Sequence, residues 1–316
     1  MIDRTINTIV GHKYSPFKGA GGKAYLALAA VCFFWGTTWL ASKQGVKYVP
    51  PLQMAGIRQS TAGILYILFF LKQGISFPKG KDWWPIITMS FLNFMLSNGL
   101  STWGVKYISA GLGAIIGAIV PLWIVVIGLF GKNEKGSTKA IIGLLLGFGG
   151  ICVIFYEHLL DFLNPEFRFG IFLSLTASLT WAFGTIYTKH QAKNFNPYFG
   201  IGLQMLISGI VMYSISSSTG MSVPVAAIPW QGWTAIAYLV LFGSLLSFVA
   251  YLYALQHLPT SQASIYAYIN PVVAVILGAL IFNEKLTSFI IIGGGITLYG
   301  VYLVNNSYSK KKELKD

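Results

Sequence analysis

The stretch PLWIVVIGLFGKNEKGSTKAIIGLLLGFGG at residues 121–150 returns at residues 271–300 as PVVAVILGALIFNEKLTSFIIIGGGITLYG. At this offset of 150, ten of the thirty aligned residues are identical. Pro121 pairs with Pro271, Gly128 with Gly278, Gly143 with Gly293 and Gly150 with Gly300, and the run Asn133-Glu134-Lys135 recurs whole as Asn283-Glu284-Lys285. A chain that repeats an odd number of membrane crossings inserts its second copy upside down. Inverted repeats in an all-helical membrane protein point to a transporter whose site lies between the halves.

Composition agrees with a membrane chain. Of the 316 residues 55% are hydrophobic and only 10% charged, with a mean hydropathy of +0.65; a soluble domain carries about 25% charged residues. Apolar runs near the ~20 residues that span a bilayer as helix recur along the whole chain. They fall at 24–44, 52–71, 84–105, 107–130, 138–156, 169–189, 198–216, 233–254, 261–282 and 287–305. The expected fold is therefore an all-α membrane protein with ten transmembrane helices in two inverted five-helix repeats. A tail over 1–23 precedes the first repeat at 24–156, and a basic tail at 306–316 follows the second at 169–305. The longest outer connections, 157–168 and 217–232, leave the remaining turns short, as in a compact antiparallel bundle.

The net charge of +13 invites a nucleic-acid reading, which its distribution excludes. With the N-terminus placed in the cytoplasm, 16 of the 22 Lys and Arg residues fall inside, 5 outside and one, Arg58, within a helix. That asymmetry is the positive-inside rule, with both termini cytoplasmic in a multi-pass cell-membrane protein. The bilayer and a small-molecule substrate are the expected partners. The first 23 residues lack a small-residue cleavage site after a short apolar core and read as a retained tail. Lys310-Lys311-Lys312 reads as an anchor at the cytoplasmic face, with an anionic-lipid site as the sharper alternative. Cys32 and Cys152 sit in apolar helix and read as buried small side chains, not as a disulfide or a metal pair. No cofactor is implied.

The run Trp35-Gly36-Thr37-Thr38-Trp39 followed by Lys43, the opening Pro51…Ala55…Arg58 of helix 2, and a last block all resemble the EamA-type permeases of the drug/metabolite transporter superfamily. That block runs from a Tyr-Ala-Leu turn at 253–255 through Asn270-Pro271 and Asn283-Glu284-Lys285-Leu286-Thr287 into a glycine-rich helix. The resemblance covers both halves. It implies export or exchange of small metabolites, amino acids among them, through a central cavity lined by both repeats. The extended tail and the aromatic, amide-rich helix 3 depart from the simplest family pattern, so the substrate is not carried over.

All nine Asp and Glu residues lie in tails, loops or helix ends. A desolvated organic cation needs a membrane carboxylate as partner, so this chain favours neutral or zwitterionic substrates and lacks the commonest proton relay. Arg58 is the charge inside a span, about 9 Å from the helix start at 1.5 Å per residue. It reads either as a side chain reaching back to the interface or as a clamp for a carboxylate or phosphate, and both readings stand at this stage. Lys43, at the outer end of helix 1, reads as an anchor.

Uncharged polar groups supply the other candidates. Helix 3 holds Asn93 and Asn98 with Ser97 and Ser101, amides that need partners in neighbouring helices or in a watered cavity. Helix 8 presents Ser244, Ser247 and Tyr251 on one face, and helix 9 presents Tyr266 and Asn270. Trp35 with Thr38 in helix 1, and Trp181 in helix 6, lie mid-helix in the matching first helices of the two halves and are candidate cavity walls. Pro121 and Pro271 each free a carbonyl near mid-membrane at matched places and are candidate hinges. Trp83, Trp84, Trp230 and Trp233 at span edges read as interface anchors. Gly113, Gly117, Gly143, Gly147 and Gly293-Gly294-Gly295 read as close-approach scaffold, and Glu134 and Glu284 as caps at the starts of helices 5 and 10.

Two other classes compete. A larger five-plus-five carrier fold would show paired Gly/Pro breaks in helices 1 and 6, which here hold a single Gly each near their centres. An intramembrane enzyme acting on lipid would need paired carboxylates, metal-spaced His or Cys, or a base beside a nucleophile. His12, His158, His190 and His257 all fall at tails or helix ends, so the carrier class is favoured. A carrier of anionic metabolites using Arg58 is the remaining alternative.

Overall fold

The structure, a computed structural model, describes residues 21–130, 138–191, 196–258, 262 and 265–313. The tail up to residue 20, the Asn133-Glu134-Lys135 turn and the last three residues lie outside these. Helix follows helix: α1 (Gly21–Gly45), α2 (Pro51–Lys72), α3 (Trp83–Met89, Ser90–Asn98 and Gly99–Gly104 end to end), α4 (Ala110–Ala118 and Val120–Phe130) and α5 (Thr138–Glu157). Then come α6 (Pro165–Gln191), α7 (Pro197–Ser218), α8 (Trp230–Tyr238, Leu239–Leu246 and Ser247–His257), α9 (Tyr266–Phe282) and α10 (Ser288–Glu313). No strand occurs among the described residues. Eight of these helices are long and apolar enough to cross a membrane; the amide-bearing α3 and the 17-residue α9 fall outside that set.

Local chemistry sets the ends. Ser109 accepts from Leu112 N at 3.1 Å and starts α4, so this helix begins three residues later than the apolar run at 107 suggests. Asn196 accepts from Tyr198 N and Phe199 N at 3.0 and 3.1 Å, with Pro197 in the first turn of α7; both are the usual devices for satisfying unpaired N–H groups. α9 stops at Asn283, whose left-handed φ of 53° turns the chain back and fits an Asn C-cap.

The two repeat prolines behave differently. α9 continues unbroken past Pro271, whereas α4 breaks at Ile119, whose carbonyl accepts from Leu122 N (2.8 Å) and Trp123 N (3.2 Å) as a new turn starts around Pro121.

Helix packing follows a regular pattern. α2 lies along α7 and α5 along α10, while α1 rests on α8 and α9 just as α6 rests on α3 and α4. The first two crossings are lined with glycine. A Cβ on Gly56 would stand 3.0 Å from Gly209 O, and one on Gly63 would stand 2.7 Å from Gly202 O. A Cβ on Gly143 would stand 2.7 Å from Gly300 O, and one on Gly293 the same distance from Gly150 O. In each pair the early residue of one helix meets the late residue of the other, so both crossings are antiparallel. Small residues let backbones approach where lipid supplies no hydrophobic drive. Thr287 Oγ1 donates to the Glu157 carboxylate and ties the end of α5 to the start of α10. Trp84 and Trp230 are exposed at helix starts, as interface anchors should be.

Two expectations need correction. Cys152 is exposed on α5, where apolar lipid suits a small thiol as well as a core does; Cys32 is buried. Glu284 does not cap α10. Its carboxylate accepts from Ala110 N (2.8 Å) and Gly111 N (3.2 Å), capping α4 in the other half, because the Asn283 turn swings it back over α9.

Replacing Gly143 with Ala overfills the α5–α10 crossing and should cost about 1–3 kcal/mol, read as a lowered thermal midpoint in detergent. The same change at Gly295, which has nothing within 4 Å of an added Cβ, should leave the midpoint in place.

Candidate functional site

The polar interior gathers around one segment of α8. Residues 239–246 form π-helical turns, and α3 contains a second π segment at 90–98, the matching place of the other half. π-helical turns are rare and cluster at functional sites. Here they leave carbonyls that side chains of α1, α2 and α8 itself reach. Trp35 Nε1 donates to Gly243 O at 3.2 Å. Tyr66 OH donates to Leu245 O at 2.9 Å and reaches Ser244 O at 3.3 Å. Ser247 Oγ donates to Phe242 O at 2.5 Å.

Arg58 lies against the same turns. It is 7% exposed, and its Nε donates to Ser244 Oγ at 3.1 Å. Gly243 makes room for it: a Cβ there would sit 2.9 Å from Arg58 Nη2 and 2.7 Å from Thr38 Cγ2. The side chain therefore does not reach back to the interface. Among the described residues the one ion pair joins His158 to Asp161, so no carboxylate compensates Arg58. Its terminal nitrogens make no hydrogen bond among the described residues either. Burying an ion costs several kcal/mol, and one hydrogen bond from a charged donor returns about 1.5–3 kcal/mol.

An aromatic cluster adjoins the cation through Gly243. The Trp35 ring sits 5.2 Å from each of Phe248, Tyr251 and Tyr266, and Tyr251 lies edge-on to Tyr266 at 5.3 Å. Tyr251 and Tyr266 lie deep in the bundle but retain accessible surface. Asn270, with its amide nitrogen turned toward α1, donates to Cys32 O at 2.8 Å and Tyr266 O at 3.1 Å. It stitches α9 to α1 just where Gly36 lets Val273 and Asn270 come close.

The other candidates divide. Trp181 packs on the same apolar cluster as Trp35, Phe94 and Phe248. Thr38 uses its hydroxyl on Trp35 O at 2.6 Å and presents its methyl to Gly243. Ser247 is fully buried with its hydroxyl committed to Phe242 O, which makes it a support for the π turn. Asn93 lies over Gly184, and its Oδ1 has no hydrogen-bond partner among the described residues. Asn98 is half-buried on the same π segment. A crevice of about 410 Å³ at the α1–α2 turn, lined by Tyr48, Trp103 and Tyr107, shares no lining residue with this cluster; Pro271 directly follows Asn270 in α9, and Pro121 follows the break in α4. Lys43 donates to Ile108 O at 2.7 Å and Lys106 O at 3.3 Å, the anchor expected of it.

Sequence reasoning missed Gly243 and Tyr66. A glycine inside the apolar run Leu-Phe-Gly-Ser of helix 8 carried the signal for the first; nothing marked the second. Packing also shows a matched exchange. Thr38 meets Gly243, and Gly184 meets Asn93; Thr38 and Gly184 each lie three residues past a Trp, and Gly243 and Asn93 are 150 positions apart. The same contact exists in both halves with side chain and glycine interchanged.

The chain matches the EamA-like transporter family twice, over residues 22–156 and 168–306. It belongs to that family, a branch of the drug/metabolite transporter superfamily, and is a multi-pass membrane transporter. It is 32% identical over 284 residues to the uncharacterized inner membrane transporter YedA of Escherichia coli K12, covering 88% of this chain and 89% of that one. With the uncharacterized transporter YoaV of Bacillus subtilis it shares 27% over 292 residues, 92% and 99% of the two chains. It is also similar to a WAT1-related chloroplastic protein of Arabidopsis thaliana, 28% identical over 287 residues, 89% of this chain and 69% of that one. A solved crystal structure of 15% identity superposes with a TM-score of 0.64 over 90% of this chain and 97% of its own, a likeness of fold.

Gly243→Ala should drive Arg58 and Thr38 off α8 and reduce transport at least about tenfold, as one misplaced charge-assisted bond would. Adding Thr38→Ser, which removes the opposing methyl, should restore part of it. Initial rates in proteoliposomes measure both.

Proposed function

We propose that the chain is a secondary carrier built as two five-helix halves inserted in opposite senses, ten crossings in all, with both termini in the cytoplasm of a bacterial cell. It moves small neutral or zwitterionic metabolites, amino acids among them, outward by alternating access through a site between the halves. The observation that carries this is the reciprocity of the packing. Gly56 and Gly63 meet Gly209 and Gly202, and Gly143 and Gly150 meet Gly300 and Gly293. Exchanging the halves turns each pair into the other, which is what a two-fold axis in the membrane plane produces. The double family match and the inner-membrane name of YedA support the same assignment.

The chemistry of the π turns supports the substrate class. They offer aromatic faces, a tyrosine pair and amides, with no carboxylate in the apolar spans to hold a cation or relay a proton. Movement then runs by exchange, by facilitated diffusion or by a coupling route that uses no buried carboxylate. Trp35, Arg58, Asn93, Asn98, Trp181, Tyr251 and Tyr266 face the substrate in this scheme, Thr38, Ser247 and Asn270 hold them in place, and Pro121 and Pro271 act as hinges.

Purified full-length protein in liposomes preloaded with unlabelled amino acid should accumulate the labelled form from a panel of neutral amino acids; the absence of counterflow for every member defeats the proposal. Asn98→Ala and Tyr251→Phe should each slow counterflow about tenfold with folded protein retained, near the ~1.5 kcal/mol of one hydrogen bond to a charged group. Single cysteines at positions 2 and 314, in a chain stripped of its native thiols, should both react with an impermeant reagent only after the cytoplasmic face is opened.

A further inference from the structure

We propose that Arg58 is the carboxylate clamp of the transport site: its two terminal nitrogens take the carboxylate of a substrate whose apolar or aromatic end rests on Trp35, Tyr251 and Tyr266. This rests on the carrier assignment and narrows it to carboxylate-bearing molecules. Three observations converge. The guanidinium is buried on α8, held by Ser244 Oγ through Nε alone, with its outer edge free of protein partners among the described residues. That edge is the fork that binds a carboxylate with two parallel bonds. In the π segment beneath it Phe242 O, Gly243 O and Leu245 O accept from Ser247, Trp35 and Tyr66, and no backbone carbonyl there accepts from the guanidinium among the described residues.

Gly243 makes the cation and the aromatic surface one site. A Cβ on it would sit 2.9 Å from Arg58 Nη2, and its carbonyl accepts the Trp35 indole; in this proposal a ligand head on Arg58 extends toward the Trp35–Tyr251–Tyr266 cluster. Repeat symmetry adds a constraint. Arg58 lies two residues past Gly56 on α2, and the residue two past the matching Gly202 on α7 is Gln204, 4% exposed. One half therefore supplies a cation and the other an uncharged amide. The site carries a single positive charge, suited to one carboxylate per substrate and unsuited to amines or dianions.

Thermal midpoints of the purified full-length protein test this with four probes of one shape: 3-phenylpropionate, phenylalanine, phenylalaninamide and phenethylamine at equal millimolar concentration. The two acids should raise the midpoint and the amide and amine should not. Arg58→Gln should abolish the rise, while Arg58→Lys, which keeps the charge and loses the fork, should need at least about tenfold more acid for the same rise. Equal rises for acid and amide, no rise with either acid, or an undiminished rise in Arg58→Gln would overturn the clamp. If Arg58→Gln does not fold, the comparison of the four probes on the unmodified chain decides. Counterflow keeps the two claims apart: wild-type rates in Arg58→Gln sink the clamp and leave the carrier, whereas acid-selective midpoints without any counterflow sink the carrier.

Discussion

Two glycine-lined antiparallel crossings, α2 with α7 and α5 with α10, hold the two halves together, and the rest of the architecture depends on them. In lipid, helices gain nothing by burying leucine against leucine, so contact must come from close packing. Glycine permits this because an added Cβ would meet backbone atoms of the facing helix at distances down to 2.4 Å. Because the same pairs recur with the halves exchanged, one local solution serves twice. Both ends of each crossing are closed by the same chemistry, and the helices between them, α1 with α8 and α9 and α6 with α3 and α4, are left around the interior.

That interior is symmetric in backbone and asymmetric in chemistry. Both third helices carry π turns, and both first helices place a tryptophan on the shared apolar cluster. Yet Thr38 sits over Gly243 where Gly184 sits under Asn93, and Arg58 stands where the other half has Gln204. The backbone contacts are therefore shared between the halves while the side chains that make them differ. The widened π turns of α8 supply the acceptors that hold Trp35 and Tyr66, and Ser244 adds the one that holds Arg58.

The halves also differ in how they bend and how they are tied. α4 breaks at Ile119 ahead of its proline and α9 does not. At the end of the bundle where α1 finishes, Glu284 caps α4 from the far side of α9, and Lys43 holds the carbonyls of the α3–α4 turn. These bonds draw α1, α4 and α9 together at that end, so any opening there must release a carboxylate from two backbone N–H groups.

Much of this was legible in the chain itself. Hydropathy and the 150-residue echo specify an all-helical membrane bundle, because apolar length and backbone satisfaction in lipid leave few other solutions. Among the candidates, Tyr251, Tyr266 and Asn270 stood out by periodicity, Trp35 by its mid-helix match with Trp181, and Asn93 as an amide within a span. What periodicity could not supply is partnership. Whether Arg58 reached the interface or the interior turned on Gly243, 185 positions away. Glu284, read as the cap of its own helix, serves α4 because a left-handed turn at Asn283 redirects it. Helical period orders residues along one rod; which rods meet, and which carbonyls a π turn exposes to them, is decided only when the backbones pack.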